Sequence, residues 1–217
     1  SAFYSCTSLT EITIPDSVTN IEGFVFTDTP WLTAKQEENP LVILNGTLID
    51  GTTCTGSVTI PDGVTSIAGG AFDSCTGLTA IAIPKSVTSI GDSAFYRCTS
   101  LTEITIPDSV TSMGDYVFDG CTGLTKVTMP DSITSISDYA FRSCTGLTEV
   151  TIPDSVTSIG DYAFRDSTGL TKIVIPDSVT SIGDSAFDNC DNLIIYGHTG
   201  SFAETYAKEH GDRKSVV

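Results

Sequence analysis

The chain has 217 residues, with 27 acidic and 10 basic side chains and a net charge of −17. That balance leaves no basic patch of the kind nucleic acid or an anionic membrane surface requires, so neither is expected as a partner. The longest apolar runs, such as Leu41 to Leu44, are far too short to cross a bilayer, so no membrane insertion is expected.

The chain opens on Ser1-Ala2-Phe3-Tyr4-Ser5-Cys6, which matches Ser93-Ala94-Phe95-Tyr96-Arg97-Cys98 in the middle of a unit that recurs downstream. The opening therefore reads as a cut within a longer protein, and the lack of a leader carries no information about compartment. The edge around Phe3, Leu9 and Ile12 is expected to fray or to self-associate, because a stacked array needs a polar cap at each end.

Residues 26 to 57 depart from the recurring unit. Thr29-Pro30 has the form of a helix start, with Thr29 as N-cap and Pro30 in the first turn. Pro40 stops that helix. Leu41 to Leu44 reads as a strand, Asn45-Gly46 as a tight turn and Leu48-Ile49 as a second strand. The whole is one modified rung carrying a helical insertion, with Trp31 packed on the edge.

Beyond it the pattern is strict. Pro61, Pro84, Pro107, Pro130, Pro153 and Pro176 are spaced by 23, and Pro15 lies two periods before Pro61. In the copy Leu101 to Gly123, Ile104-Thr105-Ile106 alternates as a strand does, with Leu101, Ile104 and Ile106 inward. Pro107 ends the strand, since it has no N–H for a ladder. Asp108-Ser109 turns the chain, and Val110 and Met113 return to the core from a second extended piece. Gly114-Asp115 turns it again, and Val117 and Phe118 insert from a short helical turn. Cys75, Cys98, Cys121 and Cys144 recur once per period, with Cys6 and Cys190 at the same position, where Ser167 also stands. A position that accepts Ser needs no disulfide, so the column is expected to be buried free thiols. At the C-terminal end, Leu193 to Tyr196 is a last strand. Ser201 to Glu204 has capping-box spacing, and Phe202, Ala203, Tyr206, Ala207 and His210 follow one helical face.

A 23-residue period with a Leu-x-x-Ile-x-Ile core predicts a leucine-rich repeat solenoid. It would be a right-handed, β-rich horseshoe of about eight or nine rungs, with parallel strands, short helical turns and a C-terminal helical cap. Residues 1–197 form the solenoid, with the modified rung over about 26–57; residues 198–217 form the cap and tail. The motif Leu-Thr-x-Ile-x-Ile-Pro-Asp-Ser-Val-Thr-Ser-Ile-Gly-Asp-x-Ala-Phe-x-x-Cys resembles the BspA-type leucine-rich repeat family. The insert Thr29 to Gly46 and the ending Tyr196 to Ala207 are also similar to elements of that family. The resemblance implies a bacterial surface or secreted protein, extracellular, often an adhesin or an accessory module of a larger and sometimes cellulosomal chain. It implies no shared catalytic residues.

The candidate partner surface is the concave strand face. Its outward residues are Thr102, Glu103, Thr105; Thr125, Lys126, Thr128; Thr148, Glu149, Thr151; and Thr171, Lys172. Glu103, Lys126, Glu149 and Lys172 alternate in sign, so neighbouring strands could pair laterally and satisfy themselves. The competing reading is a recognition strip for a protein or a glycan, with Thr hydroxyls as adaptable donors and acceptors. An alternative strip is Tyr116, Tyr139 and Tyr162, which reads either as an aromatic binding row or as a packing ladder. The Asp columns at the turns follow from turn chemistry, and no metal or other cofactor is expected. No catalytic motif is present, and His198 and His210 both lie in the cap region. The chain is therefore read as a non-enzymatic module.

Overall fold

The computed structural model describes residues 2–18 and 20–209. His210 and the tail beyond it lie outside the described residues. The insertion forms helix α1 (Pro30–Glu38) and an antiparallel hairpin of β1 (Val42–Leu44) and β2 (Thr47–Asp50). The Thr29 hydroxyl caps α1 by accepting from the Leu32 N–H, and Asn45 and Gly46 both take positive φ, as the tight turn requires. Short strands then follow in pairs: β3 (Gly56–Thr59) and β4 (Ser66–Ile67), β5 (Leu78–Ala82) and β6 (Ser89–Ile90), β7 (Glu103–Thr105) and β8 (Ser112–Met113). The series continues with β9 (Lys126–Thr128) and β10 (Ser135–Ile136), β11 (Glu149–Thr151) and β12 (Ser158–Ile159), β13 (Lys172–Val174) and β14 (Ser181–Ile182), then β15 (Ile194–Tyr196) and helix α2 (Phe202–Glu209).

The first strand of each pair stacks in parallel on its counterpart one period away, as in Glu103↔Lys126 and Glu149↔Lys172. The second strands form a separate parallel ladder, as in Ser89↔Ser112. Odd-numbered strands from β3 to β15 mark seven rungs, fewer than the repeat count suggests. Residues 9–14 have the strand sequence but join no ladder, because the insertion intervenes: the Leu9 carbonyl accepts from the Trp31 N–H of α1 at 2.9 Å. That first turn still continues one core column, with Phe3 stacked on Phe26 at 5.5 Å and Phe26 against Trp31 at 4.5 Å.

No rung buries its own apolar residues, so the core is built by stacking. Leu78, Leu101, Leu124, Leu147 and Leu170 are fully buried, and so are Phe72, Phe95, Phe118, Phe141 and Phe164. The phenyl rings form a ladder of near-parallel pairs 5.2–5.5 Å apart, closed at the C-terminal end by Phe187 edge-on to Tyr206 of α2. Ser201 and Glu204 cap α2 at its start: the Ser201 hydroxyl accepts from the Glu204 N–H, as the spacing predicts, while the Glu204 carboxylate accepts from the Gly200 N–H rather than from that of Ser201.

The third side carries consecutive turns, not a regular helix. Each rung places two residues four apart in the left-handed region, and in three successive rungs the first of them is a tyrosine: Tyr116, Tyr139 and Tyr162, with φ of 56–58°. Such a conformation costs a side-chain-bearing residue on the order of 1–3 kcal/mol, and Gly70 holds the same position without that cost.

The cysteine column has a specific role. The thiols of Cys98, Cys121, Cys144 and Cys190 each donate to the carbonyl of the phenylalanine 26 residues earlier, at 3.0–3.1 Å. Ser167 makes the same bond to Phe141 at 2.7 Å, which explains why it is accepted there. None of the seven cysteines is in a disulfide; six are buried, but Cys6 is exposed, contrary to the expectation of a fully buried column. Burial pushes the Cys54 thiol up to about 11 and also raises Cys98, Cys121 and Cys144. A position that needs a donor should prefer Ser to Ala. We expect Cys121→Ala to cost about 1–3 kcal/mol and Cys121→Ser to cost less. Urea denaturation of the two variants checks this, and the reverse order would mean the thiol acts only as filler.

One seam interrupts both ladders. Among the described residues β8 does not pair with β10, and β9 does not pair with β11. The lapse lies between turn 111–133 and turn 134–156. Thr111 and Thr157 donate their hydroxyls to the rung before them, but the corresponding Thr134 bond is missing, and the Ser155 hydroxyl is buried without a partner. Ser137 stands at the seam. In four rungs this position is Gly91, Gly114, Gly160 or Gly183, where the preceding turn comes close: a Cβ on Gly114 would sit 2.4 Å from the Asp92 nitrogen. In a fifth it is Ala68, whose strand β4 still pairs on both sides. Ser137 carries that Cβ, and its hydroxyl, rather than its N–H, reaches the Met113 carbonyl at 2.6 Å. The third side stays bonded across the seam, through Tyr116, Phe118 and Gly120 N–H groups to the carbonyls of Asp138, Ala140 and Arg142.

Candidate binding surface

The first strands present the expected alternation. Ile104, Val150 and Ile173 are buried, while Glu103, Thr105, Glu149 and Thr151 are exposed. Thr102, Thr125, Lys126, Thr128, Thr148 and Thr171 are exposed as well, and Lys172 is half-buried. One face therefore gathers all eleven residues from four rungs, in register within the pair on each side of the seam.

The polar rows differ in how far they are already satisfied. Thr102, Thr125 and Thr171 donate their hydroxyls to the preceding rung's carbonyls at 3.0–3.3 Å. The hydroxyls of Thr105, Thr128 and Thr151 donate to no group among the described residues. In the charged row, Lys172 pairs with Glu149 at 2.5 Å and its ammonium lies 5.8 Å from the Tyr196 ring. Glu103 and Lys126 are also register partners, yet they form no ion pair among the described residues. The row expected to satisfy itself does so at one end only.

The face is also uneven, which repeat reading alone did not register. At Ser57↔Ala80↔Glu103 and Thr59↔Ala82 the strand register puts small residues where later rungs carry Glu or Lys and Thr. The result is a depression of about 710 Å³, floored by Ala80, Ala82, Ile83 and Met129 and rimmed by Lys85 and Glu103. The signal was present in the sequence as two alanines that break their columns.

The tyrosine strip is a packed ladder. Tyr116, Tyr139 and Tyr162 stack at 4.4 and 4.8 Å, within 18° of parallel. The guanidinium of Arg142 sits 5.0 Å from the Tyr139 ring and 5.9 Å from that of Tyr116, and Arg165 sits 5.3 Å from Tyr162. Ring faces that a sugar would stack upon are thus taken by neighbours, leaving edges for a partner. Arg142 also clasps Asp119 of the preceding rung with two bonds, at 2.6 and 3.1 Å, and Asp119 is buried. Sequence reading missed this pair, because the position varies: Asp73, Asp119 and Asp188 share it with Tyr96, Arg142 and Arg165.

The turn aspartates serve the backbone. Asp92, Asp138 and Asp161 each accept from the N–H of the aspartate one rung later, at 2.8–3.0 Å. Burial, with Asp138 and Asp92 nearby, raises the pKa of Asp115. Among the described residues no group of three or more His, Cys, Asp or Glu side chains could hold a metal ion. His198 contacts Asp177 at 2.9 Å, tying the cap to the last turn. Near the insertion the buried Asp50 accepts from Gln36 and Thr52, which docks α1 on the solenoid, and burial raises its pKa. No helix among the described residues is long and apolar enough to cross a membrane.

Parallel strands on 23-residue rungs, a stacked core and one exposed face of polar rows define a leucine-rich repeat solenoid, a scaffold built for interaction by repetition. The chain belongs to the BspA-type leucine-rich repeat family: the model of that repeat region matches in six copies over residues 1–75 and 48–168, more than half of the chain. Among solved structures, the leucine rich repeat protein of T. pallidum is 28% identical, with a TM-score of 0.63, covering 77% of this chain and 76% of that one. A leucine-rich repeat protein from Eubacterium ventriosum is 29% identical with a TM-score of 0.56, over 66% of this chain but only 46% of its own. The pneumococcal vaccine antigen PcpA, at 13% identity, 79% of this chain, 56% of that chain and a TM-score of 0.52, shares the fold alone. No curated protein sequence matches the chain.

Proposed function

We propose that the chain is a non-enzymatic binding module of a bacterial protein displayed on the cell surface or secreted. Its strand face engages a protein or a glycan outside the cell. The observation that carries this reading is the exposed row Thr105, Thr128, Thr151, whose hydroxyls are committed to nothing else among the described residues. Rows of this kind bind by many weak contacts, one per rung, and gain avidity from their fixed spacing. The family's bacterial, surface-associated character supports the location. A second reading, a spacer or accessory domain of a larger protein, draws support from the satisfied Glu149–Lys172 pair and the near-identity of the rungs.

The test is adherence of beads carrying the protein to immobilised matrix proteins and to a glycan array. Thr105→Arg, Thr128→Arg and Thr151→Arg combined should reduce binding at least ten-fold with the circular dichroism spectrum unchanged. Unchanged binding would remove the strand face, and a parent chain that binds nothing on either panel would favour the spacer.

A further inference from the structure

We propose that the depression at Ala80 and Ala82 is the anchor point of the strand face, and that it seats an aliphatic side chain of a basic polypeptide segment. The proposal rests on the strand-face reading above and names its partner class. Elsewhere on that face each rung repeats its neighbour, so a ligand finds the same surface at every step. Here the column Ser57, Ala80, Glu103, Lys126 loses its long side chain over two rungs, and Ala82 interrupts the threonine column of Thr59, Thr105 and Thr128 over one. Ile83 and Met129, the counterparts of the fully covered Ile106, are partly exposed in this depression.

The lining decides the ligand class. It holds methyl and methylene groups from Ala80, Ala82, Ile83 and Met129, and no aromatic, amide or guanidinium group. A sugar would find no ring to stack on and only the carboxylates of Glu103 and Asp108 as planar groups to accept from its hydroxyls, whereas an aliphatic side chain gains by leaving water. The volume, about 710 Å³, is in the range of ligand pockets and has room for such a side chain with its flanking backbone. The unengaged hydroxyls of Thr105 and Thr128 stand beside it to meet that backbone.

Charge decides what flanks the anchor. Two exposed carboxylates, Glu103 and Asp108, line the depression against one ammonium, Lys85, and none of the three is in an ion pair among the described residues. The chain around them carries −17. A basic segment is drawn to this site and an acidic one is repelled.

The experiment titrates the isotope-labelled protein with acetylated pentapeptides, following backbone amide shifts. Lys-Lys-Leu-Lys-Lys should saturate and shift the amides of residues 80–85 and 103–108. Lys-Lys-Ser-Lys-Lys and Glu-Glu-Leu-Glu-Glu should each bind at least ten-fold more weakly. The decisive variant is Ala80→Glu with Ala82→Thr, which copies the Glu103 and Thr105 pattern of the next rung and so suits the fold. Its added carboxylate would strengthen a purely electrostatic attraction, so a ten-fold loss can come only from the filled floor. Undiminished binding by this variant, a serine peptide as tight as the leucine peptide, or saturable shifts with a chitin or cellulose hexasaccharide in place of the peptide would each overturn the proposal. No saturable peptide binding at all would do the same. Thr148→Gln with Thr151→Gln separates this from the broader reading. If that pair weakens the peptide and the alanine pair does not, the strand face stands and the anchor falls. If neither does and the shifts map elsewhere, both fall.

Discussion

Replacing Phe118 by alanine is expected to cost about 3–5 kcal/mol, and to split the unfolding transition. Phe118 is fully buried and stacks on Phe95 at 5.5 Å and on Phe141 at 5.4 Å, so its removal opens a cavity and breaks two ring contacts at once. Each rung of a solenoid touches only its neighbours, and stability is close to a sum of rung and interface contributions. A deep cavity in the middle rung therefore uncouples the two halves. Urea denaturation read by tyrosine fluorescence and by far-ultraviolet dichroism should give transitions that no longer coincide. Phe187→Ala, at the end of the same ladder, should cost less and keep one transition, because only one stacked neighbour and the Tyr206 edge are lost. Coincident transitions in Phe118→Ala would show that the halves do not depend on this column.

Arg142→Met is expected to destabilise the fold by about 3 kcal/mol, the lower end of the range for breaking a buried ion pair. The lower end applies because the Arg142 side chain remains 32% exposed while that of Asp119 is 3% exposed. Removing the arginine leaves a buried carboxylate without its two bonds. The pair also spans the seam: Asp119 precedes the interrupted strand bonds and Arg142 follows them, on the side that remains bonded. Two further variants make the account falsifiable. Asp119→Leu combined with Arg142→Met removes both charges and should recover at least half of the loss. Ser137→Gly, which matches the glycine of four other rungs, is expected to raise the melting temperature of both the parent chain and Arg142→Met, and no change would show that the Ser137 side chain does not hold the seam open. An Arg142→Met variant as stable as the parent would show that the clasp contributes specificity rather than stability.

The amino-acid sequence determined everything that depends on the period. A repeat of 23 with apolar residues at fixed offsets leaves one way to bury them, which is to stack equivalent positions. Hence the Leu and Phe columns, the outward Thr and Glu/Lys rows, the strand ends at the prolines and the capping of both helices were all legible. Each follows from local chemistry or from alternation along a strand. Ser167 even announced that the cysteine column was not cross-linked. What the tertiary structure alone decided lies where one rung meets the next. The carbonyl that each thiol bonds is 26 residues away and belongs to the other rung's turn. The left-handed tyrosines, the Asp119–Arg142 clasp and the partial Glu/Lys row depend on distances between turns, and no offset within a single copy encodes them. The seam falls at Ser137, where four other rungs have Gly, and the depression at Ala80 and Ala82, where neighbouring rungs carry Glu and Thr. Their consequence, a lapse in two ladders or a hollow in a face, exists only once neighbouring rungs are packed against them.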